Sequence, residues 1–169
     1  MSARSNASTG RLIAHVLAGA WRETPPALDL SEAALNRVAE KLLVSRAGAL
    51  AWWRLRHTAL RSSAAAQELY DADRLFTLKA ALHERDVERV FSLLRARGVE
   101  PILIKGWVIA RFYPETALRP YGDIDLCVSR TDFARAQELL KSIVVPGALD
   151  IDLVPDERGR LGNRRREEF

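Results

Sequence analysis

Apolar residues recur at helical spacing from residue 29 onward. Leu35, Val38, Ala39, Leu42 and Leu43 follow Asp29 and Glu32, a capping-box-like start placed after Pro25-Pro26. They predict one amphipathic helix with a core-facing stripe. Gly48 is expected to break or bend it before a second stretch carrying Leu50, Trp53 and Leu60. Trp52 and Trp53 fall on adjoining faces there and read as core or interface filling rather than base-stacking platforms. A long third helix is predicted over residues 64–97, with Leu75, Leu78, Leu82, Val90, Phe91 and Leu94 as its stripe and Gly98 at the C-terminal cap.

After Gly98 the periodicity shortens. Residues 101–105 form a short apolar run suited to a buried strand, Gly106 permits a tight turn, and residues 107–113 suit a short helix stopped by Pro114. A polar loop reaches Gly122. A strand over 123–128, a helix from Thr131 or Asp132 to about Ser142, and a strand over 148–154 complete the pattern. Residues 156–169 carry no apolar periodicity. The expected organisation is a helical N-terminal region over 1–98, an α+β core over 99–156 and a polar tail over 157–169.

The chemistry concentrates in the strand at 123–128. Residues two apart on a strand share a face, so Asp123 and Asp125 are expected to project together while Ile124, Leu126 and Val128 face the core. Two neighbouring carboxylates repel and have low strand propensity, a conflict that a bound cation removes. Hard oxygen donors of this kind suit Mg²⁺ or Mn²⁺. Upstream, Gly106 sits between strand and helix, where backbone N–H groups can face phosphates without an obstructing side chain. Lys105 and Arg119 supply cations suited to triphosphate oxygens, or serve only as exposed charges. On the predicted strand at 148–154, Asp150 and Asp152 again alternate with Leu149, Ile151 and Leu153, which is also the pattern of a polar face on an edge strand.

Lys105-Gly106, Tyr113-Pro114, Arg119 and the block Gly122-Asp123-Ile124-Asp125-Leu126 together resemble a bacterial nucleotidyltransferase family of the polymerase-β-like superfamily whose members lack an assigned function. The resemblance implies a small mixed sheet flanked by helices, preceded by a helical region. It also implies Mg²⁺- or Mn²⁺-dependent transfer of a nucleoside monophosphate from an NTP to an acceptor, a small molecule or protein, with release of pyrophosphate. Asp123 and Asp125 would bind metal, with Asp152 or Asp150 as the third carboxylate; Lys105, Gly106 and Gly122 would lie at the nucleotide. Arg119 would steady the departing pyrophosphate or lock the loop before Asp123. Two departures stand out. Trp107 follows Gly106 where the superfamily usually has serine or glycine, and Val154 replaces the histidine that usually follows the later aspartate. Family members also continue past the length of this chain, so a shortened core is expected.

Bulk properties narrow the remaining classes. With 48% apolar and 28% charged residues, the chain has the balance of an ordinary globular protein, and no apolar run approaches the roughly 20 residues that span a bilayer. The apolar stretch after Arg11 lacks a clear cleavage site, so no secretory leader is expected. Cys127 has no partner cysteine and reads as a buried, inert thiol, which points to a cytoplasmic setting. A net charge of +4 attracts polyanions only weakly, leaving nucleic acid a disfavoured partner. His15, His57 and His83 lie on separate predicted helices with no ligand spacing. Two other functions compete: a non-catalytic module that binds nucleotide or a partner protein, and a helical interaction protein that uses the tryptophan-bearing helices and has no nucleotide affinity.

Overall fold

The computed structural model describes residues 3–141, 153–155 and 160–163. The chain divides into two compact units, one comprising Met1–Ala80 with Ala110–Pro120 and the other Ala81–Ile109 with Tyr121–Phe169. Residues 81–98, read from the sequence with the helical region, fall in the second unit.

The first unit is helical. Helix α1 (Ala3–Leu17) lies within the region expected to be helical, although its small, polar first residues gave no bounds for it. Its apolar end joins the core, with Val16 fully buried and Leu12, Ile13 and Leu17 packed beside it. The single helix expected after Pro26 is two short ones, α2 (Glu32–Asn36) and α3 (Ala39–Val44). At their junction the Val38 N–H donates to the Leu35 carbonyl at 3.0 Å, a tighter i→i+3 turn. The cap is Ser31, whose hydroxyl accepts from the Ala34 N–H, rather than Asp29. The expected stripe nevertheless faces inward: Leu35, Val38, Ala39 and Leu42 are buried and Leu43 is packed against them.

Helix α4 (Gly48–Leu55) starts at the predicted break. A Cβ on Gly48 would stand 2.9 Å from the Ala72 Cβ and 3.2 Å from the Leu43 Cδ2, so glycine permits close helix packing here. Arg54 on α4 is buried and donates to the carbonyls of Val16 at 3.2 Å and of Pro26, tying three segments together. Burial pulls its guanidinium below the ordinary arginine value. Trp52 acts as filler, packed on this core with its ring 4.9 Å from that of Tyr70.

Helix α5 (Ala64–Ala96) runs through both units and matches the predicted long helix closely. Ala65, Ala66 and Leu69 enter the first core; Val90 and Leu94 enter the second, with Phe91 packed beside them. Leu75, Leu78 and Leu82 depart from the expected stripe, being 49%, 59% and 44% exposed. Gly98, at φ 72°, closes the helix as expected, and the Val99 N–H reaches back to the Leu94 carbonyl at 3.0 Å.

In the second unit, β1 (Ile102–Ile104) pairs antiparallel with β2 (Asp125–Cys127). Their registers are Ile102 with Cys127, Leu103 with Leu126 and Ile104 with Asp125. Strands β3 (Leu153–Pro155) and β4 (Arg160–Asn163) extend the sheet in the order β1-β2-β4-β3. Every ladder among the described residues is antiparallel, whereas the resemblance implied a mixed sheet. The architecture is helix-dominated and consistent with α+β. Strand β4 lies in the stretch read from sequence as a polar tail.

Leu103, Ile124, Leu126 and Val128 pack with Val90, Leu94 and Val99 to make the second core. Helix α6 (Gly106–Ala110) follows β1, and α7 (Phe133–Lys141) adds Ala136 and Leu140 to that core. Just before α7, hydrogen bonds from Ser129 and then Arg135 hold the Asp132 carboxyl below its usual range. No helix among the described residues is long and apolar enough to cross a membrane. Cys127 is half-buried rather than fully buried.

Candidate active site

The β1–β2 ladder sets the acids against the glycine corner. Leu103 and Leu126 pair on the core face, so their neighbours Ile104 and Asp125 pair on the opposite face. Asp125 is 5% exposed. The ladder ends there because the chain turns sharply at Lys105, whose φ is 56°. This left-handed conformation costs a non-glycine residue about 1–2 kcal/mol. Gly106 is not the residue with positive φ, so the turn requires no glycine at that position. Its role is close approach: an added Cβ would stand 3.1 Å from the Tyr121 Cβ and 3.8 Å from the Asp123 carbonyl oxygen. The space left by its missing side chain is thus filled by Tyr121. Trp107, half-buried, follows directly in α6.

The left-handed turn also redirects a charge. In continued strand geometry Lys105 would stand opposite Ile124, toward the core. Instead its Nζ donates to Asp125 Oδ1 at 3.0 Å, with the lysine side chain 59% exposed and the aspartate side chain 7% exposed. Asp123 lies just before β2, exposed, with no strand partner. Ile124, Leu126 and Val128 face the core as predicted, but the strand begins at Asp125, two residues later than expected. Tyr121 also meets the His83 ring edge-on, at 5.0 Å between centroids.

Arg119 belongs to the first unit. It is half-buried at the C-terminal end of a one-turn 3₁₀ segment, Thr116–Leu118, and its N–H donates to the Thr116 carbonyl at 3.4 Å. Ala117 and Leu118 are buried, and Glu115 at the start of the turn accepts from Arg56 Nη1 at 2.9 Å. The Arg56 guanidinium also lies 3.6 Å above the Trp53 ring centre. Burial first, and then Glu115, push the Asp73 carboxyl above its usual value, with Arg56 opposing them. Among the described residues, the buried Trp53 Nε1 and Arg56 Nε have no hydrogen-bond partner. Sequence reasoning missed this cluster because Arg56 and Glu115 are far apart in the chain and share no spacing signal.

The structure therefore sets the Lys105 ammonium on Asp125 and Gly106 against Tyr121 and the Asp123 carbonyl, all within the second unit, with Gly122 between those last two residues in the chain. Asp150 and Asp152 lie outside the described residues. Asp123 and Asp125 are hard oxygen donors and in kind fit Mg²⁺ or Mn²⁺. Among the described residues, no group of three or more His, Cys, Asp or Glu side chains is placed to hold a metal ion.

The α+β chain carries Asp125 on a strand beside a Lys-Gly turn, and comparison of the sequence with known families gives its class. Residues 33–143 match the family described as uncharacterised nucleotidyltransferase, and the chain belongs to that family. The match begins within α2, so the helical stretch without a distinctive motif is also part of the family's unit. It ends before Asp150 and Asp152. Membership suggests a role in nucleotidyl transfer and implies an NTP substrate. No curated protein and no solved structure matches the chain.

Proposed function

We propose that the chain is a metal-dependent nucleotidyltransferase with a polymerase-β-like core, moving a nucleoside monophosphate from an NTP to an acceptor hydroxyl. The observation that carries this reading is the register placing Asp125 opposite Ile104, which sets a carboxylate beside the Lys105-Gly106 corner. Asp123 and Asp125 would hold Mg²⁺ or Mn²⁺, which would neutralise triphosphate oxygens and draw electron density from the reacting phosphorus. Lys105 offers its ammonium to the triphosphate, and the backbone N–H groups at Gly106 and Gly122 offer it further donors. Arg119 either steadies the departing pyrophosphate or locks the loop before Asp123. Asp152, or Asp150 in its place, takes the proton of the acceptor hydroxyl. The acceptor oxygen bonds to the α-phosphorus, the bond from that phosphorus to the bridging α–β oxygen breaks, and pyrophosphate leaves with the electron pair.

Pyrophosphate release, measured with each NTP in Mg²⁺ buffer, tests the reading, with mass spectrometry of incubated acceptors for an added nucleoside monophosphate. Asp123→Asn and Asp125→Asn should each abolish release while circular dichroism shows an unchanged fold. Undiminished release in Asp125→Asn would refute the assignment. Nucleotide binding without release in the unmutated chain would mark a non-catalytic binding module instead.

A further inference from the structure

We infer that Lys105 is an internal counter-ion that occupies Asp125 until a divalent cation arrives, so that metal and lysine compete for the same carboxylate. This rests on the nucleotidyltransferase reading above, which assigns Asp125 to metal and Lys105 to nucleotide.

Four observations support it. Asp125 is nearly inaccessible to water, and a desolvated carboxylate requires a compensating charge or donor. The lysine ammonium supplies both from 3.0 Å. The backbone makes this contact possible only by leaving the strand: continued extension would send the lysine side chain toward the core around Ile124, and the left-handed turn at φ 56° returns it to the face of Asp125. The lysine stem is mostly exposed, so its head can leave for solvent or for another anion without disturbing the core.

A divalent cation on Asp125 would face this ammonium at close range, and the two positive charges oppose each other. The metal alone therefore binds more weakly than the carboxylates would otherwise allow. When a triphosphate enters, its oxygens offer the ammonium a second anionic partner, and the lysine transfers from Asp125 to the nucleotide. Metal and nucleotide thus assist each other through one side chain.

The test is a titration of the full chain with Mn²⁺ in the absence of nucleotide, followed by calorimetry and by the electron paramagnetic resonance of free Mn²⁺. Lys105→Met should raise the Mn²⁺ affinity about tenfold, the order expected for removing one positive charge beside the ion. Lys105→Gly, which suits the left-handed backbone, should give the same rise, and Lys105→Arg should not. Unchanged or weakened Mn²⁺ binding in both Lys105→Met and Lys105→Gly, with their folds intact by circular dichroism, overturns the inference while leaving the metal site in place. If Asp125→Asn binds Mn²⁺ as tightly as the unmutated chain, or if neither binds it, the metal assignment itself falls and the inference falls with it.

Discussion

Replacing Arg56 by Met tests how the Arg119 turn is held in the first unit. Two interactions disappear together. The ion pair to Glu115, 2.9 Å long with side chains 30% and 46% exposed, is worth about 0.2–1 kcal/mol in a setting this wet. The guanidinium 3.6 Å above Trp53 adds about 0.5–2 kcal/mol, of which a methionine sulfur recovers about 0.3–1.5 kcal/mol against the same ring. The net loss is about 1 kcal/mol. A chain of this size should then lose about 2–4 °C in Tm. Thermal unfolding of Arg56→Met, Glu115→Gln and the double variant closes a cycle whose coupling energy should lie at about 0.2–1 kcal/mol and shrink in about 1 M NaCl. A coupling of zero at low salt would refute the contact on which the reasoning depends.

Asp73→Asn should stabilise the chain near neutral pH. The folded chain binds the Asp73 proton more tightly than the unfolded chain does, so stability falls as pH rises from the ordinary carboxyl value through the raised one. The variant's gain should therefore be present at about pH 7 and absent at about pH 3, where both states are protonated; equal gains at both pH values would exclude the linkage. Gly48→Ala should destabilise despite a helix-propensity gain of up to about 1 kcal/mol. The new methyl meets the Ala72 Cβ, which is fixed to the α5 backbone, and overpacking of that kind costs about 1–3 kcal/mol. Urea unfolding measures the balance, and a more stable variant would show that α4 and α5 are less closely packed than described.

The elements that periodicity defines were legible in the sequence, and those that tertiary contacts define were not. The length of α5 follows from an uninterrupted helical pattern with Gly98 behind it, and the core face of β2 follows from Ile124, Leu126 and Val128. The late start of β2 does not, because the ladder ends where β1 turns away, and that turn falls on Lys105 rather than on the glycine after it. A left-handed lysine leaves no mark in composition, and neither does the ion pair that its side chain makes across the ladder. Leu75, Leu78 and Leu82 continue the spacing of the buried residues on α5, yet periodicity marks a face without saying what covers it. Residue types alone marked Lys105 and Asp125 as candidates, and the ladder puts their two side chains in contact. The split of α2 from α3 and the contact of Arg56 with Glu115 were not legible, since both depend on where the chain folds back.

The position of Trp107 gives the molecule an optical reporter. Of the four tryptophans, Trp21, Trp52 and Trp53 belong to the first unit and Trp107 to the second, one residue beyond the corner glycine. Exchanging the first three for phenylalanine would leave a single emitter, half-shielded from solvent, whose colour and accessibility to acrylamide follow events at that corner. Stopped-flow fluorescence could then time the arrival of a ligand there without attaching any dye.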